Sequence, residues 1–316
     1  MQLTISIIVM GQQPLILPCL ESIEAQTKTE HEICLVNNIA SPALINTITS
    51  RFPQVKIIHN TRRLSFAANH NQVMRRSNGQ FVLLLNDDTV ILDRAIDRMI
   101  DFLNSQPGQI GIAGCTNLNG QGNLRLSCHP FLTAKGVIWR HAKLGRWFPG
   151  RVHDHYLSQA KGAEPFSVDW VQGSCMAIHK DVIAKIGYLD EDFFLFGEEV
   201  DYCYRAKQAG FSVYHIPQAQ IIHYESASTS RFIPMKIRGS YLSTLYFFAK
   251  HQFNRDLKLI RPWFIVELFA KSILRAAGAL INRPADARVR LQVYLDLIRI
   301  CATYKGQPAL EFAGQE

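Results

Sequence analysis

Short apolar runs, often β-branched, alternate through the first third of the chain with segments whose apolar positions recur every three or four residues. Residues 4–9 (TISIIV) carry almost no polar content, the pattern of a strand buried on both faces. Leu15, Leu17, Leu20 and Ile23 mark a helix over 14–25. A strand at 32–36, a helix over 42–52, a strand at 55–58, a helix over 66–77 and a strand at 81–85 follow. Strands and helices that alternate through short connections predict a parallel α/β sheet. Ligands of such sheets bind outside the carboxyl ends of the strands. Asn37, Asn38, Asn60 and the triplet Asn86, Asp87, Asp88 all fall at those ends.

The periodicity fades over 116–165, which is rich in Gly, Asn, His and Arg and reads as a long loop or lid. Order returns with strands at 168–171 and 174–179 and a helix beginning at 180 or 181. A helix over 200–209, closed by Gly210, precedes short strands at 213–216 and 220–223. Further on, residues 257–281 predict a helix with Pro262 in its first turn. There Glu267, Lys271 and Arg275 form a polar stripe, leaving Trp263, Phe264, Leu268, Phe269, Ile273 and Ala276 to an apolar surface, as in an interfacial helix.

Composition narrows the class. The chain has 316 residues, 47% hydrophobic and 19% charged, which suits a globular domain with an appendage and excludes a disordered chain. Its seven cysteines form no CxxC pair, so they read as reduced core residues of a cytosolic protein. The start lacks a basic segment before its apolar run, and no stretch reaches the ~18 uncharged apolar residues of a membrane span, so neither a signal peptide nor a span is expected. Charge is uneven. Residues 1–230 carry 20 basic and 20 acidic side chains, whereas 231–305 carry 14 basic and four acidic. A basic appendage with an apolar helix face predicts an anionic membrane surface as partner. A helix packed on the rest of the chain, or a homodimer contact, is the alternative. Nucleic acid is not expected, because no nucleic-acid-binding motif accompanies the charge.

Two acidic clusters carry the candidate chemistry. Glu198, Glu199 and Asp201 place three carboxylates in five positions behind the apolar run 193–196. Crowded carboxylates beside apolar surface call for a cation, a proton or a basic partner. Asp87 and Asp88 close the strand at 81–85, so one metal-dependent site assembled from distant segments is predicted. Asp201 and Arg205 stand at i and i+4, which makes Asp201 structural.

The ordered motifs ISIIVM at 5–10, VNNIAS at 36–41, FAANHNQ at 66–72, LLLNDDT at 83–89, the 44-residue block 168–211 and IIHYESAST at 221–229 resemble one family. They are similar to the inverting family-2 glycosyltransferases of the GT-A fold, in particular the bacterial rhamnosyltransferase-like branch. The resemblance implies an α/β GT-A domain over 1–230, a Rossmann-like, mostly parallel sheet with flanking helices, followed by a basic, amphipathic helical region over 231–316. It implies a nucleoside-diphosphate-sugar donor, a saccharide acceptor that can be carried on a polyprenyl diphosphate, and a cytoplasmic enzyme peripheral at the inner face of the plasma membrane. It further implies Mn or Mg held by Asp88 and His223 together with donor phosphate oxygens, an open set that suits these ions better than a closed zinc site. Val9, Asn37, Asn38, Phe66, Asn71, Asn86 and Asp87 would bind the donor, and Trp170, Gly173 and Phe196 would line the acceptor pocket. Glu199, paired with Glu198, would be the general base, a glutamate where the family usually has aspartate. The chain also departs from the family pattern at Met10-Gly11-Gln12, at Asn37 and at Ser65. A catalytically degenerate sugar-nucleotide-binding subunit and, further off, a nucleotidyltransferase are the competing readings.

Overall fold

The structure, a computed structural model, describes residues 1–11, 15–106, 110–142, 151–193, 195–224, 233–282 and 287–309. Gln12, Phe194 and positions 225–229 of the last motif lie outside these residues. The chain forms two compact units: 1–131, 151–190 and 198–228 make the first, and 132–150, 191–197 and 229–316 the second.

The first unit is built on a ten-stranded mixed sheet. Its opening half follows the expected alternation: β1 (Leu3–Gly11), α1 (Ile16–Gln26), β2 (His31–Ala40), α2 (Pro42–Arg51), β3 (Lys56–His59), α3 (Phe66–Met74) and β4 (Phe81–Asn86). β1 pairs in parallel with β2 on one side and β4 on the other, and β2 pairs in parallel with β3. Both faces of β1 are covered, with Leu3, Ile5, Ile7 and Val9 as buried as Thr4 and Ser6. Burying such apolar side chains stabilises the fold by about 1.5–3 kcal/mol each. Ser41 caps α2 by accepting from the Leu44 amide, and Ser65 caps α3 by accepting from the Ala68 amide. The departure at Ser65 thus has a local structural role.

Beyond β4 the fold adds elements that the apolar pattern did not reveal. β5 (Thr89–Leu92) begins three residues after β4, and α4 (Ala95–Ser105) buries Ile96, Met99, Ile100 and Leu103. β6 (Ile110–Leu118) is buried along eight of its nine positions. The expected loop at 116–165 contains the two-residue strands β7 (Leu124–Arg125) and β8 (Cys128–His129) and the helices α5 (Ala134–His141) and α6 (Arg151–Ala160). α5 escaped notice because it buries only Ala134 and Val137, too few for a legible stripe. Then follow β9 (Phe166–Val168), β10 (Trp170–Val171), β11 (Cys175–His179), α7 (Lys180–Ile186), α8 (Glu198–Gln208) and β12 (Ser212–His223).

The strand order is β3-β2-β1-β4-β11-β6-β12-β5, with β7 paired to β6 and β9 to β12. β6 and β12 are parallel, but β11 runs antiparallel between β4 and β6, and β5 runs antiparallel to β12. The sheet is therefore mixed, not purely parallel. The two short strands read at 213–216 and 220–223 are one strand whose register with β6 shifts between Ile216 and Gln220. Pro217 lies inside that shift, where it has no amide hydrogen to give the ladder.

The second unit contains α5 and three further helices, α9 (Ile233–Lys250), α10 (Asn254–Asn282) and α11 (Ala287–Thr303). No helix among the described residues is long and apolar enough to cross a membrane. Pro262 sits nine residues into α10, not in its first turn. Of the expected polar stripe, Glu267 is turned inward, while Lys271 and Arg275 are half-buried. Glu267 is buried, accepting from Lys271 Nζ at 2.5 Å and lying 3.0 Å from His141 Nδ1. Phe264 and Leu268 are buried with it, while Phe269 and Ile273 stand outside.

Candidate active site

The carboxyl ends of β4, β6 and β12 meet the amino end of β11 at one edge of the sheet. Asn86 ends β4, and its backbone amide donates to the Ser174 carbonyl at 3.0 Å. The chain then turns through Asp87 and Asp88 into β5, whose antiparallel pairing sets Thr89 opposite His223 on β12. This unforeseen strand pairing brings Asp88 and His223 together: Asp88 Oδ1 lies 3.2 Å from His223 Nε2. The Tyr224 amide donates to the Asp88 carbonyl at 3.0 Å, and Asn86 Nδ2 stands 3.2 Å from the same His223 nitrogen. His223 Nδ1 is buried and has no hydrogen-bond partner.

A divalent cation fits this pair. Two ligands at right angles on an octahedral ion with bonds of about 2.1 Å stand about 3.0 Å apart, close to the Asp88–His223 separation. One carboxylate and one imidazole leave most of the coordination shell to phosphate oxygens and water. Among the described residues no cluster of three or more His, Cys, Asp or Glu side chains is assembled to hold a metal alone. Burial, and then the neighbouring Asp88 charge, push the Asp87 carboxyl up to about 7.

The second acidic cluster opens α8, where the helix N-terminus favours negative charge. Glu198 is 5% exposed. Burial, and next the Glu199 charge, hold its carboxyl well above the ordinary range, and its Oε2 has no hydrogen-bond partner. Glu199 is only half-buried. Gly173 lies between these features. A Cβ there would stand 3.0 Å from Phe66 Cζ and 3.8 Å from Glu199 Cβ, so the backbone comes this near only because the residue is glycine. Its neighbour Ser174 is the residue bonded to Asn86, so residues 173–174 bridge the Asp88 turn and Glu199. Asp201 is fully buried and bound to Arg205 Nε at 2.8 Å, the expected structural pair.

The other candidates divide by what their side chains do. Val9 is buried beside Asn37 in the parallel register. Asn37 Oδ1 accepts from the Ala40 amide at 2.8 Å, and its Nδ2 meets His59 Nδ1 at 3.1 Å. Asn38 is fully engaged: it donates to the Leu64 carbonyl and accepts from the Leu64 amide and from Asn60 Nδ2. Asn71 clamps Leu189 through both amide atoms, at 3.0 and 2.9 Å. Phe66 heads α3 and stacks edge-on against His70 at 4.3 Å. Trp170 is buried, with Nε1 donating to the Pro130 carbonyl at 2.8 Å and its ring against His129. Phe196 belongs to the second unit and is exposed there at a left-handed φ of 68°.

Sequence reasoning passed over one polar group. Asn117, buried at the end of β6, donates to Gln172 Oε1 at 3.1 Å and to Ser174 Oγ at 3.0 Å. The signal was an asparagine closing the apolar run 110–115, hidden because 116 was taken as the start of a loop.

Residues 2–241 match the family described as glycosyltransferase like family 2. The chain belongs to that family. Among relatives of this glycosyltransferase, the low-salt glycan biosynthesis hexosyltransferase of Haloferax volcanii is 28% identical over 215 residues. That match spans 65% of this chain and 65% of the relative, just under two thirds of its length. The N-acetylglucosaminyl-diphospho-decaprenol L-rhamnosyltransferase of Mycobacterium tuberculosis is 23% identical over 245 residues, 73% of this chain and 78% of the relative. In fold, the glycosyltransferase is similar to a mannosyltransferase of Pyrobaculum calidifontis solved with GDP-Man and Mn2+. The TM-score is 0.57 at 15% identity, covering 96% of this chain and 86% of that one. The mixed, mostly parallel sheet with flanking helices is thus the GT-A fold.

Proposed function

We propose that this glycosyltransferase moves a hexosyl unit from a nucleoside-diphosphate sugar to a hydroxyl of a saccharide acceptor, with inversion and with a divalent cation, Mn or Mg. The observation that carries this reading is the convergence of Asp88 and His223 at 3.2 Å on the strand-end crevice that residues 173–174 link to Glu199.

Asp88 and His223 would hold the cation, which supplies positive charge against the diphosphate that leaves. Burial raises the Glu198 carboxyl and favours its neutral form, so Glu199, the less buried member, is assigned to accept the proton. Glu199 takes the proton of the acceptor hydroxyl while that oxygen bonds to the anomeric carbon. The bond to the diphosphate breaks on the opposite face with its electron pair, which inverts the centre. The mycobacterial relative, a rhamnosyltransferase named for a diphospho-decaprenol acceptor, supports an acceptor carried on a polyprenyl diphosphate, and hence work at an anionic membrane face.

A screen of nucleotide sugars with manganese, read by NMR of the product anomer, tests the reaction; a retained anomer would overturn it. Asp88→Ala tests the cation separately. The variant should weaken manganese-dependent binding of the nucleoside diphosphate by ~100-fold or more in calorimetry, with melting temperature kept. Unchanged affinity would remove Asp88 from the cation site.

A further inference from the structure

α10 is amphipathic in the reverse sense. Between Leu259 and Ala276 its exposed positions are Leu259, Pro262, Val266, Phe269, Ala270, Ile273, Leu274 and Ala276, and every one is apolar. The large ones are open to solvent: Leu259 at 60%, Val266 at 62%, Phe269 at 60%, Ile273 at 55% and Leu274 at 72%. None of the charged positions of the same stretch belongs to the exposed set: Glu267 is buried, and Arg261, Lys271 and Arg275 are half-buried. Glu267 lies against Lys271 and His141, and Arg261 donates to the Cys301 and Ala302 carbonyls of α11. An apolar strip along such a helix runs for ~26 Å. A continuous exposed patch of this kind marks an interaction surface, since scattered apolar residues would not line up.

We propose that this face of α10 docks onto an anionic lipid bilayer, lying in the plane of its interface. Charge selects the occupant. Residues 231–305 carry 14 basic and four acidic side chains. The described acids of α9, α10 and α11 all have partners within the unit: Asp256 accepts from the Ala134 amide, Glu267 binds Lys271, and Asp296 binds Arg238 and Gln292. Exposed Arg255 stands one turn before Leu259 on the same side of the helix, with Lys258 beside it and Arg288 and Arg299 exposed on α11. A second copy of the chain would bring the same basic surplus against itself, which costs association. Anionic headgroups neutralise it, at roughly 1 kcal/mol per basic side chain near the surface. The helix is not apolar enough to span, so it rests in the interface. The inference deepens the lipid-borne acceptor reading, yet its test needs no turnover and can fail independently.

The full chain is floated with vesicles of phosphatidylcholine alone or mixed with phosphatidylglycerol, beside the double variant Val266→Asp/Phe269→Asp and the single variant Leu274→Glu. Sedimentation velocity and melting temperature are measured in parallel. The wild type should bind mixed vesicles roughly tenfold more strongly than neutral ones, and added salt should remove that preference. Both variants should lose roughly tenfold in binding at unchanged melting temperature, because the altered side chains are exposed. Wild type that fails to float overturns the proposal, as do variants that float like wild type. A wild-type dimer that the variants dissociate without any change in vesicle binding assigns the face to a second copy and overturns it too.

Discussion

The strand-end crevice and the helix α10 obey opposite rules for where polarity goes. At the strand ends, Asp88 in the turn after β4, Asn117 near the end of β6 and Glu198 at the start of α8 are all buried. Along α10 the carboxylate of Glu267 is buried for packing, and the apolar residues Val266 and Phe269 are left to solvent. Buried polarity therefore has two meanings in one chain. At the sheet it belongs to the proposed donor and cation site; in the helices it is an internal tie that leaves the outer face apolar.

Four substitutions sharpen or break this contrast. The largest effect is expected at the crevice. Glu199→Gln keeps the size of the side chain but cannot accept a proton, so turnover should fall by ~10²–10⁴-fold while donor affinity stays as it was. Steady-state kinetics with a binding assay decide this, and equal losses in both would make Glu199 a binding residue. Next is Phe264→Ala in the buried side of α10, which should cost ~3–5 kcal/mol in chemical denaturation.

Glu267→Gln should cost about 1–3 kcal/mol, and its pH profile carries the mechanism. Burial pulls the Glu267 carboxyl upward, but bonds from His141 and Lys271 overcome it and leave the group below its ordinary value. Folding thus favours the ionised form. Its contribution is complete above about pH 4.3 and is lost as the pH falls through the lower folded value. Wild type and variant should differ most near neutrality and converge in acid; a constant difference would mean that shape, not charge, matters there. The smallest effect is expected for Phe269→Ala, within ~0.5 kcal/mol of wild type, because that ring is exposed. A cost near that of Phe264→Ala would erase the distinction between the two sides of α10.

These two regions also differ in how far their sequence can be read. β1 to β4 were legible because both sheet faces are covered, and continuous apolar runs such as 81–85 have one interpretation. The Asp88 and His223 motifs stood out by type, but the β5–β12 pairing that joins them did not. β5 is only four residues long and half of it is fully buried, and its place is fixed only by pairing with β12. Asn38 and Asn71 were singled out as donor ligands from motif position. Their hydrogen bonds to Leu64 and Leu189 depend on backbone from remote segments, which no local pattern records. α10 was read as amphipathic, correctly, and Phe269, Ile273 and Ala276 are exposed as that reading had them, but Glu267 of the polar stripe is buried together with Phe264 and Leu268. Periodicity says that a helix has two sides and does not say which one meets the protein. Lys271 and His141 decided that, and His141 comes from 126 positions earlier in the chain.

The pairing of β12 with β5 has a kinetic consequence. Asn86 and His223 are 137 positions apart, so the turn that holds Asp88 cannot meet its histidine until most of the first unit has been made and closed. Contacts of such separation form late, after the loop entropy between them has been overcome. The β1–β4 half, with its short connections, can assemble earlier without any cation-binding pair. On the proposed function, manganese and nucleoside diphosphate would bind only the finished turn, so they should slow unfolding and leave the folding rate of the chain almost unchanged.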